Sequence, residues 1–269
     1  MNTKSYILGL PESGKTTFLG ALAFTIENAE SGTMMYEIDE IGDFRYLYDL
    51  ANVWSSCEKM ARTNFGQYEN ITLFLKDQQY NKIQLVLPDQ SGEEFKRVIE
   101  NRMMTEVMQK DILESDNIFV FVNPHNMSQD VMLDDIPDEL RQKFGNVRND
   151  LENIIMHEQV QYVMLLQDIG RIRKKRTKLK IVISAWDAYN TDKKPQELLK
   201  IKMPLLWQYL MTNKHLFECE YWGISAQGGN LDVQDEKDRL LDYENPIERI
   251  TVVGQRKLEN IHDLTTLLK

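Results

Sequence analysis

Residues 9–16 of this 269-residue chain read Gly9-Leu10-Pro11-Glu12-Ser13-Gly14-Lys15-Thr16, and they are the strongest indication of its fold. The stretch consists of a glycine, four residues and then Gly-Lys-Thr, and it follows a short apolar run at residues 5–8. This pattern directs successive backbone N–H groups at phosphate oxygens, at a helix start whose dipole also favours negative charge. We therefore predict a phosphate-binding loop, whose nucleotide-contacting residues are Gly9, Glu12, Ser13, Gly14, Lys15, Thr16 and Thr17.

Three residues of this loop have individual consequences. Lys15 is expected to reach the β- and γ-phosphates of a nucleoside triphosphate, and the Thr16 hydroxyl is expected to ligate Mg²⁺. Pro11 has no backbone N–H, so the loop offers one amide donor fewer than the pattern allows.

Along the chain, segments whose apolar pattern is typical of a strand alternate with segments whose pattern is typical of a helix. Residues 71–75 and 83–87 predict a hairpin, and the continuous apolar run at residues 118–122 predicts a buried central strand. Further strands are predicted at residues 180–184 and 218–224, the latter as the last core strand, with helices at about 15–29, 43–61, 93–101, 105–113, 147–172, 204–211 and 258–268. The prediction is a single α/β domain over residues 1–269, with three layers, a mostly parallel central sheet and one antiparallel edge strand. It carries helical insertions at about residues 34–62 and 126–178.

Three more strand ends carry candidate ligand residues. They are Pro88-Asp89-Gln90-Ser91-Gly92, Ser184-Ala185-Trp186-Asp187 and Ser225-Ala226-Gln227. Ligands of open α/β sheets bind at the carboxyl ends of the strands, so these motifs are expected near the phosphate loop. An aspartate at position 89 suits Mg²⁺, bound directly or through water, and the Gly92 amide suits a γ-phosphate.

The order of the four motifs resembles that of the P-loop GTPase superfamily, which includes the translation factors and small signalling GTPases. The resemblance implies that Asp187 pairs with guanine and that the turn at Ser225 and Ala226 contacts the guanine oxygen. Ala185 stands where that superfamily has a lysine packed over the base. More narrowly, the phrases GLPESGKTTFL, PDQSGE and SAQGG resemble the bacterial double-GTPase group predicted to belong to conflict or antiphage systems.

The same resemblance implies residues for hydrolysis and switching. Glu93 occupies the place of the water-positioning glutamine of many members, and Arg62 is the candidate arginine finger. Thr63 is the candidate switch threonine on Mg²⁺, with Thr33 and Thr72 as alternatives. The ordinary interpretations are a first-turn helix acid for Glu93 and a solvated loop side chain for Arg62.

Composition excludes several classes of partner. The formal charge of −10 disfavours a polyanion, so nucleic acid is not an expected partner, although residues 171–180 are locally basic. The two cysteines, Cys57 and Cys219, form no framework and fit a reducing compartment, which makes the cytoplasm the expected location. No apolar run approaches membrane-spanning length, and we expect neither a signal peptide nor a membrane.

The sequence thus predicts Mg²⁺-dependent binding of GTP and GDP with GTP hydrolysis. It predicts a switch that signals to an effector protein through segments near Thr63 and residues 89–101. Two alternatives stay open. An ATPase is motivated by Ala185, and a hydrolysis-poor nucleotide-binding scaffold is motivated by Glu93 and Arg62.

Overall fold

The computed structural model describes residues 2–28, 34–36, 44–59, 70–88, 98–99, 101–125, 157–254 and 262–268. Its strands are β1 (Asn2–Gly9), β2 (Met34–Tyr36), β3 (Asn70–Asp77), β4 (Lys82–Pro88), β5 (Asn117–Val122), β6 (Thr177–Ile183), β7 (Phe217–Ser225) and β8 (Thr251–Val253). Its α-helices are α1 (Lys15–Asn28), α2 (Phe44–Ser55), α3 (Glu106–Glu114), α4 (Glu158–Ile172), α5 (Pro195–Lys202), α6 (Pro204–Thr212) and α7 (Gln234–Leu241). Short 3₁₀ helices span Trp186–Tyr189, Pro246–Arg249 and Leu264–Leu268.

The strands form one sheet in the order β2-β3-β4-β1-β5-β6-β7-β8. The run from β4 to β7 is parallel, which confirms the mostly parallel sheet and places β1 beside both β4 and β5. The β3–β4 hairpin is antiparallel as predicted, and β2 extends that edge. The opposite edge is antiparallel too, because β8 pairs with β7, so β7 is not the last strand.

The sheet separates two apolar layers, as the three-layer prediction requires. All six residues of β5 are buried, and they alternate between the layers: Val120 faces α3 and α4, whereas Phe119 and Phe121 face α1 and α2. This is the burial expected of a continuous apolar run in a central parallel strand. Helix α2 packs on α1, with the rings of Phe24 and Trp54 5.1 Å apart.

Several boundaries differ from the sequence prediction. The segment predicted to be a helical insertion from about residue 34 begins with strand β2. Helix α4 begins at Glu158 with His157 as its N-cap, and residues 126–156 of the second predicted insertion lie outside the described residues. The predicted C-terminal helix is a 3₁₀ helix over Leu264–Leu268 where it is described. Most of the helix predicted at residues 93–101 also lies outside the described residues.

The basic segment after α4 includes a buried structural arginine. Arg173 is 3% exposed, and its Nη1 donates to the carbonyl oxygens of Ile112 and Ser115 at 2.7 and 2.8 Å. The guanidinium therefore satisfies carbonyl groups at the end of α3. None of the helices in the described ranges is long and apolar enough to cross a membrane.

Candidate nucleotide-binding site

The phosphate loop joins β1 to α1 as predicted, and two glycines shape it. Gly14 has φ = +88°, a left-handed conformation that glycine adopts without steric penalty. A Cβ atom on Gly14 would lie 2.9 Å from Cβ of Ser184, and a Cβ atom on Gly9 would lie 2.7 Å from the carbonyl oxygen of Phe121. Glycine at both positions therefore lets the loop lie directly on the ends of β5 and β6.

Lys15 is turned into the loop. Its Nζ donates to the carbonyl oxygens of Gly9 and Leu10, both at 2.8 Å, and to Oγ of Ser13 at 3.1 Å. Burial lowers the pKa of the Lys15 ammonium group to about 8. A cation held among backbone groups at a helix start provides the point charge that a phosphate chain requires.

Tyr162 of α4 supports the loop from the opposite layer, a role that the sequence did not reveal. Its hydroxyl donates to the carbonyl oxygen of Phe121 at 2.7 Å and accepts the N–H of Leu10 at 3.3 Å. Burial raises the pKa of this hydroxyl, so it stays protonated and able to donate. It lies 152 residues from Leu10, and no local pattern links the two positions.

Asn123 also contacts the loop, from the end of β5. Its Nδ2 donates to the carbonyl oxygen of Glu12 at 3.4 Å. A pocket on this side of the loop is lined by Leu10, Pro11, Glu12, Ser13, Asn123, Glu158 and Tyr162. The signal for Asn123 in the sequence is its position directly after the predicted central strand.

The segment at residues 184–187, predicted to contact the guanine base and called here the first base motif, lies next to the phosphate loop. Ser184 is buried, and its Oγ donates to the carbonyl oxygen of Val122 at 3.2 Å while its side chain faces Gly14. Ala185 adopts a left-handed conformation, with φ = 50° and ψ = 44°, and begins the 3₁₀ helix Trp186–Tyr189. Trp186 is buried against Gly223, where a Cβ atom would lie 2.4 Å from its ring. This packing leaves Asp187 exposed to solvent at the carboxyl edge of the sheet.

The second base motif is a tight turn at the end of β7. Oγ of Ser225 accepts the N–H of Gly228 at 3.0 Å, and Gly228 has φ = +89°. The carbonyl oxygen of Ala226 accepts a hydrogen bond from Nε1 of Trp54 at 2.8 Å. Helix α2 therefore contacts this turn, called here the base loop, from 172 residues away in the chain.

The predicted site residues divide into two groups. The structure brings one group to the carboxyl edge of the sheet: Gly9, Glu12, Ser13, Gly14, Lys15, Thr16, Thr17, Asp187, Ser225 and Ala226. The other group lies outside the described residues: Thr33, Arg62, Thr63, Asp89, Gly92 and Glu93. Thr72, an alternative switch threonine, lies within β3 opposite Val86 and so belongs to a strand rather than a loop.

Thr16 is the one predicted Mg²⁺ ligand within the described residues, and its hydroxyl oxygen suits the ion. Thr16 lies in the first turn of α1, beside the loop amides. Strand β4 runs parallel to β1 and ends at Pro88, so the chain reaches the same sheet edge just before Asp89. Hydroxyl and carboxylate oxygens are the ligands that Mg²⁺ prefers. Within the described part of the chain, no group of three or more His, Cys, Asp or Glu residues could hold a metal ion.

A glycine loop with a partly buried lysine, set between a parallel strand and a helix, defines a P-loop protein of the nucleoside-triphosphate-binding class. The model of the Double-GTPase 1 family (DO-GTPase1) matches residues 6–269, and the chain belongs to this family. No curated protein sequence gives a significant match.

Solved structures similar to this chain include GTPase domains of other proteins. The S. cerevisiae Ski7 GTPase-like domain bound to GDP and inorganic phosphate is 14% identical, with a TM-score of 0.47 over 91% of this chain and 47% of that one. The chain thus spans about half the length of the Ski7 chain. The signal recognition particle receptor SRb-GTP/SRX complex from Chaetomium thermophilum is 13% identical, with a TM-score of 0.46 over 85% of this chain and 92% of that one.

Proposed function

We propose that this protein binds guanine nucleotide with Mg²⁺, hydrolyses GTP and acts as a nucleotide-controlled switch. The observation that carries the proposal is the contact between Gly14 of the phosphate loop and Ser184 of the first base motif. Through this contact one nucleotide can place its phosphates at Lys15 and its base at Asp187. Membership of the Double-GTPase 1 family supports the guanine base.

Each base motif has a distinct role in this proposal. The exposed carboxylate of Asp187 accepts hydrogen bonds from N1–H and the exocyclic amine of guanine. The backbone of the turn at Ser225 and Ala226 contacts the guanine oxygen. Adenine has neither donor at those positions, so an Asp187 carboxylate opposite adenine loses both bonds.

Hydrolysis and switching are assigned to residues outside the described ranges. Glu93 orients the attacking water, and Arg62 stabilises the negative charge of the transition state. Thr63 and Asp89 would hold Mg²⁺ together with Thr16. Gly92 contacts the γ-phosphate, so the segments around Thr63 and Gly92 differ between the triphosphate and diphosphate forms. The partners are GTP or GDP and an effector protein that reads these segments, in the cytoplasm and in a bacterial defence setting.

A second candidate is a P-loop ATPase, and one observation favours it. Ala185 has a single side-chain carbon and adopts a left-handed conformation, so it cannot cover a base as a lysine stem does. Competition binding with GDP and ADP separates the two candidates. A hydrolysis-poor scaffold is separated from both by single-turnover hydrolysis with and without candidate partners.

The Asp187→Asn substitution tests the base assignment. An asparagine can donate to the carbonyl that xanthine carries in place of the guanine amine, and it can accept from N1–H. We expect Asp187→Asn to lose GTP affinity by about 10-fold to 100-fold and to gain XTP, measured by competition binding. The matched control is Asp192→Asn, which alters an exposed aspartate five positions along the chain and should change neither affinity. Unchanged GTP affinity in Asp187→Asn would refute the assignment.

A further inference from the structure

Helix α2 ends in a turn that normally carries glycine. The N–H of Cys57 donates to the carbonyl oxygen of Trp54 and the N–H of Glu58 to that of Val53, both at 3.1 Å. These two bonds define a Schellman motif, whose left-handed position is usually glycine. Here that position is Cys57, with φ = 53°. A side chain is therefore present where the backbone conformation disfavours one.

The sulfur of Cys57 connects α2 to the base loop. Cys57 is completely buried, and its Sγ accepts hydrogen bonds from Nη1 of Arg249 at 3.0 Å and from Nε2 of Gln227 at 3.7 Å. Gln227 directly follows Ala226 in the turn at residues 225–228. A glycine at position 57 would suit the backbone but would leave both donors without this acceptor.

Arg249 also contacts this turn. It is 4% exposed, its Nη1 also donates to the carbonyl oxygen of Ser55 at 3.0 Å, and its guanidinium lies 5.6 Å from the centre of the Trp54 ring. The carbonyl oxygen of Arg249 lies 2.6 Å from where a Cβ atom on Gly228 would be. One buried arginine therefore contacts both the end of α2 and the end of the base loop.

Trp54 completes the arrangement through the backbone of the loop. Its Nε1 donates to the carbonyl oxygen of Ala226, which fixes the plane of the peptide between Ala226 and Gln227. A backbone donor aimed at a base must keep its position within a few tenths of an ångström to form a good hydrogen bond.

We propose that Cys57, Arg249 and Trp54 are positioning residues that hold the turn at residues 225–228 against the guanine oxygen. Helix α2 thereby contributes to recognition of the guanine oxygen, beside the contact of Asp187 with the base. The inference rests on the proposed function, because it assigns the same turn to guanine. These three residues act through the loop backbone and do not themselves contact the nucleotide.

The test uses the full chain and the ratio of two dissociation constants. In 6-thio-GDP the guanine oxygen is replaced by sulfur, a weaker acceptor, while N1–H and the amine are retained. IDP retains the oxygen and N1–H but lacks the amine. The preference for GDP over 6-thio-GDP therefore measures the contact of the base loop with the guanine oxygen. The preference for GDP over IDP measures the contact of Asp187 with the amine.

We expect Cys57→Gly and Arg249→Met each to weaken GDP about tenfold, the effect of one misplaced hydrogen bond. Both should also reduce the preference for GDP over 6-thio-GDP, and both should retain the preference over IDP. Cys57→Ser, which retains an acceptor, should recover most of the loss. Cys57→Gly keeps the test valid if Arg249→Met does not fold, because glycine suits the left-handed position.

The matched control is Arg102→Met, which removes an arginine paired with Asp168 of α4 on the opposite face of the sheet. This variant should leave unchanged both the preference for GDP over 6-thio-GDP and the preference for GDP over IDP. Equal weakening of GDP, 6-thio-GDP and IDP in Cys57→Gly would mean a merely structural role and would overturn the inference, as would unchanged GDP affinity. Equal affinity of the wild-type protein for ADP and GDP would instead refute the proposed function, and this measurement needs no variant.

Discussion

Among single residues, Lys15 is a group whose protonation state changes just above neutral pH. Its pKa lies near 8, below the ordinary value of 10.5, because burial disfavours the ammonium form. A bound phosphate chain favours that form and raises the pKa again. Nucleotide binding above pH 8 must therefore be accompanied by proton uptake at Lys15.

This linkage predicts the pH dependence of binding. Below pH 8 the ammonium is already present and affinity is constant with respect to Lys15, whereas above pH 8 affinity falls, by up to about tenfold for each pH unit. Titration calorimetry with GDP between pH 7 and pH 9.5, in buffers of different ionisation enthalpy, measures both the affinity and the proton uptake. Lys15→Arg keeps its charge over this range and should show no proton uptake at position 15, so any fall in affinity that it retains at high pH belongs to the nucleotide itself. Wild-type affinity that is constant to pH 9.5 would show that the pKa of Lys15 is not lowered in the free loop, whereas the Lys15→Ala variant tests the contact with the phosphates separately.

Other residues of the site were not predictable from their neighbours in the chain. The phosphate loop was predictable from the sequence, because its glycine-lysine pattern encodes a local conformation. Tyr162 and Trp54 were not, since each contacts the site across more than 100 residues. Arg249 was not either, because it joins the base loop to Cys57, which lies 192 residues away in the chain. A tyrosine or tryptophan in an amphipathic helix looks like any other core residue.

At the scale of elements, helix α4 supports the phosphate loop through one hydroxyl. Replacing Tyr162 by phenylalanine leaves the buried N–H of Leu10 and the carbonyl oxygen of Phe121 without this partner. We expect a loss of about 1–3 kcal/mol in the free energy of unfolding, measured by urea denaturation. We also expect weaker GDP binding, because the loop loses a fixed point.

Tyr6 of β1 offers the matched control for this substitution. Its hydroxyl is also buried but has no hydrogen-bond partner within the described residues. Tyr6→Phe should therefore be neutral or slightly stabilising, since it removes an unsatisfied polar group. Equal destabilisation by Tyr6→Phe and Tyr162→Phe would show that the hydroxyl bridge at the loop contributes nothing.

Element length explains which parts of the sheet were predictable. The six-residue β5 and the β3–β4 hairpin have clear apolar patterns, and the structure contains both. Strands β2 and β8 have three residues each, too few to establish a period of two, and they form by pairing with a neighbouring edge. Strand β2 forms because it pairs with β3, and β8 forms because it pairs with β7, so a short sequence window around either strand does not predict it.

At the scale of the whole molecule, a nucleotide at this site would connect parts of the chain that are distant in sequence. The loop after β1 and the base motifs at the ends of β6 and β7 lie at one sheet edge only in the folded chain. The unfolded chain therefore has no equivalent site, and ligand binding must add to the free energy of unfolding.

The size of this effect provides the last prediction. GDP at 100 times its dissociation constant, with Mg²⁺, should stabilise the fold by about 2.7 kcal/mol, and ADP at the same concentration should add much less. Thermal unfolding measures the stabilisation, and hydrogen exchange should show protection concentrated at the phosphate loop and at residues 184–187 and 225–228. Lys15→Ala is the control, because it removes the phosphate contact and should abolish both responses. Stabilisation that persists in Lys15→Ala, or protection that spares the base motifs, would mean that the nucleotide binds elsewhere on the protein.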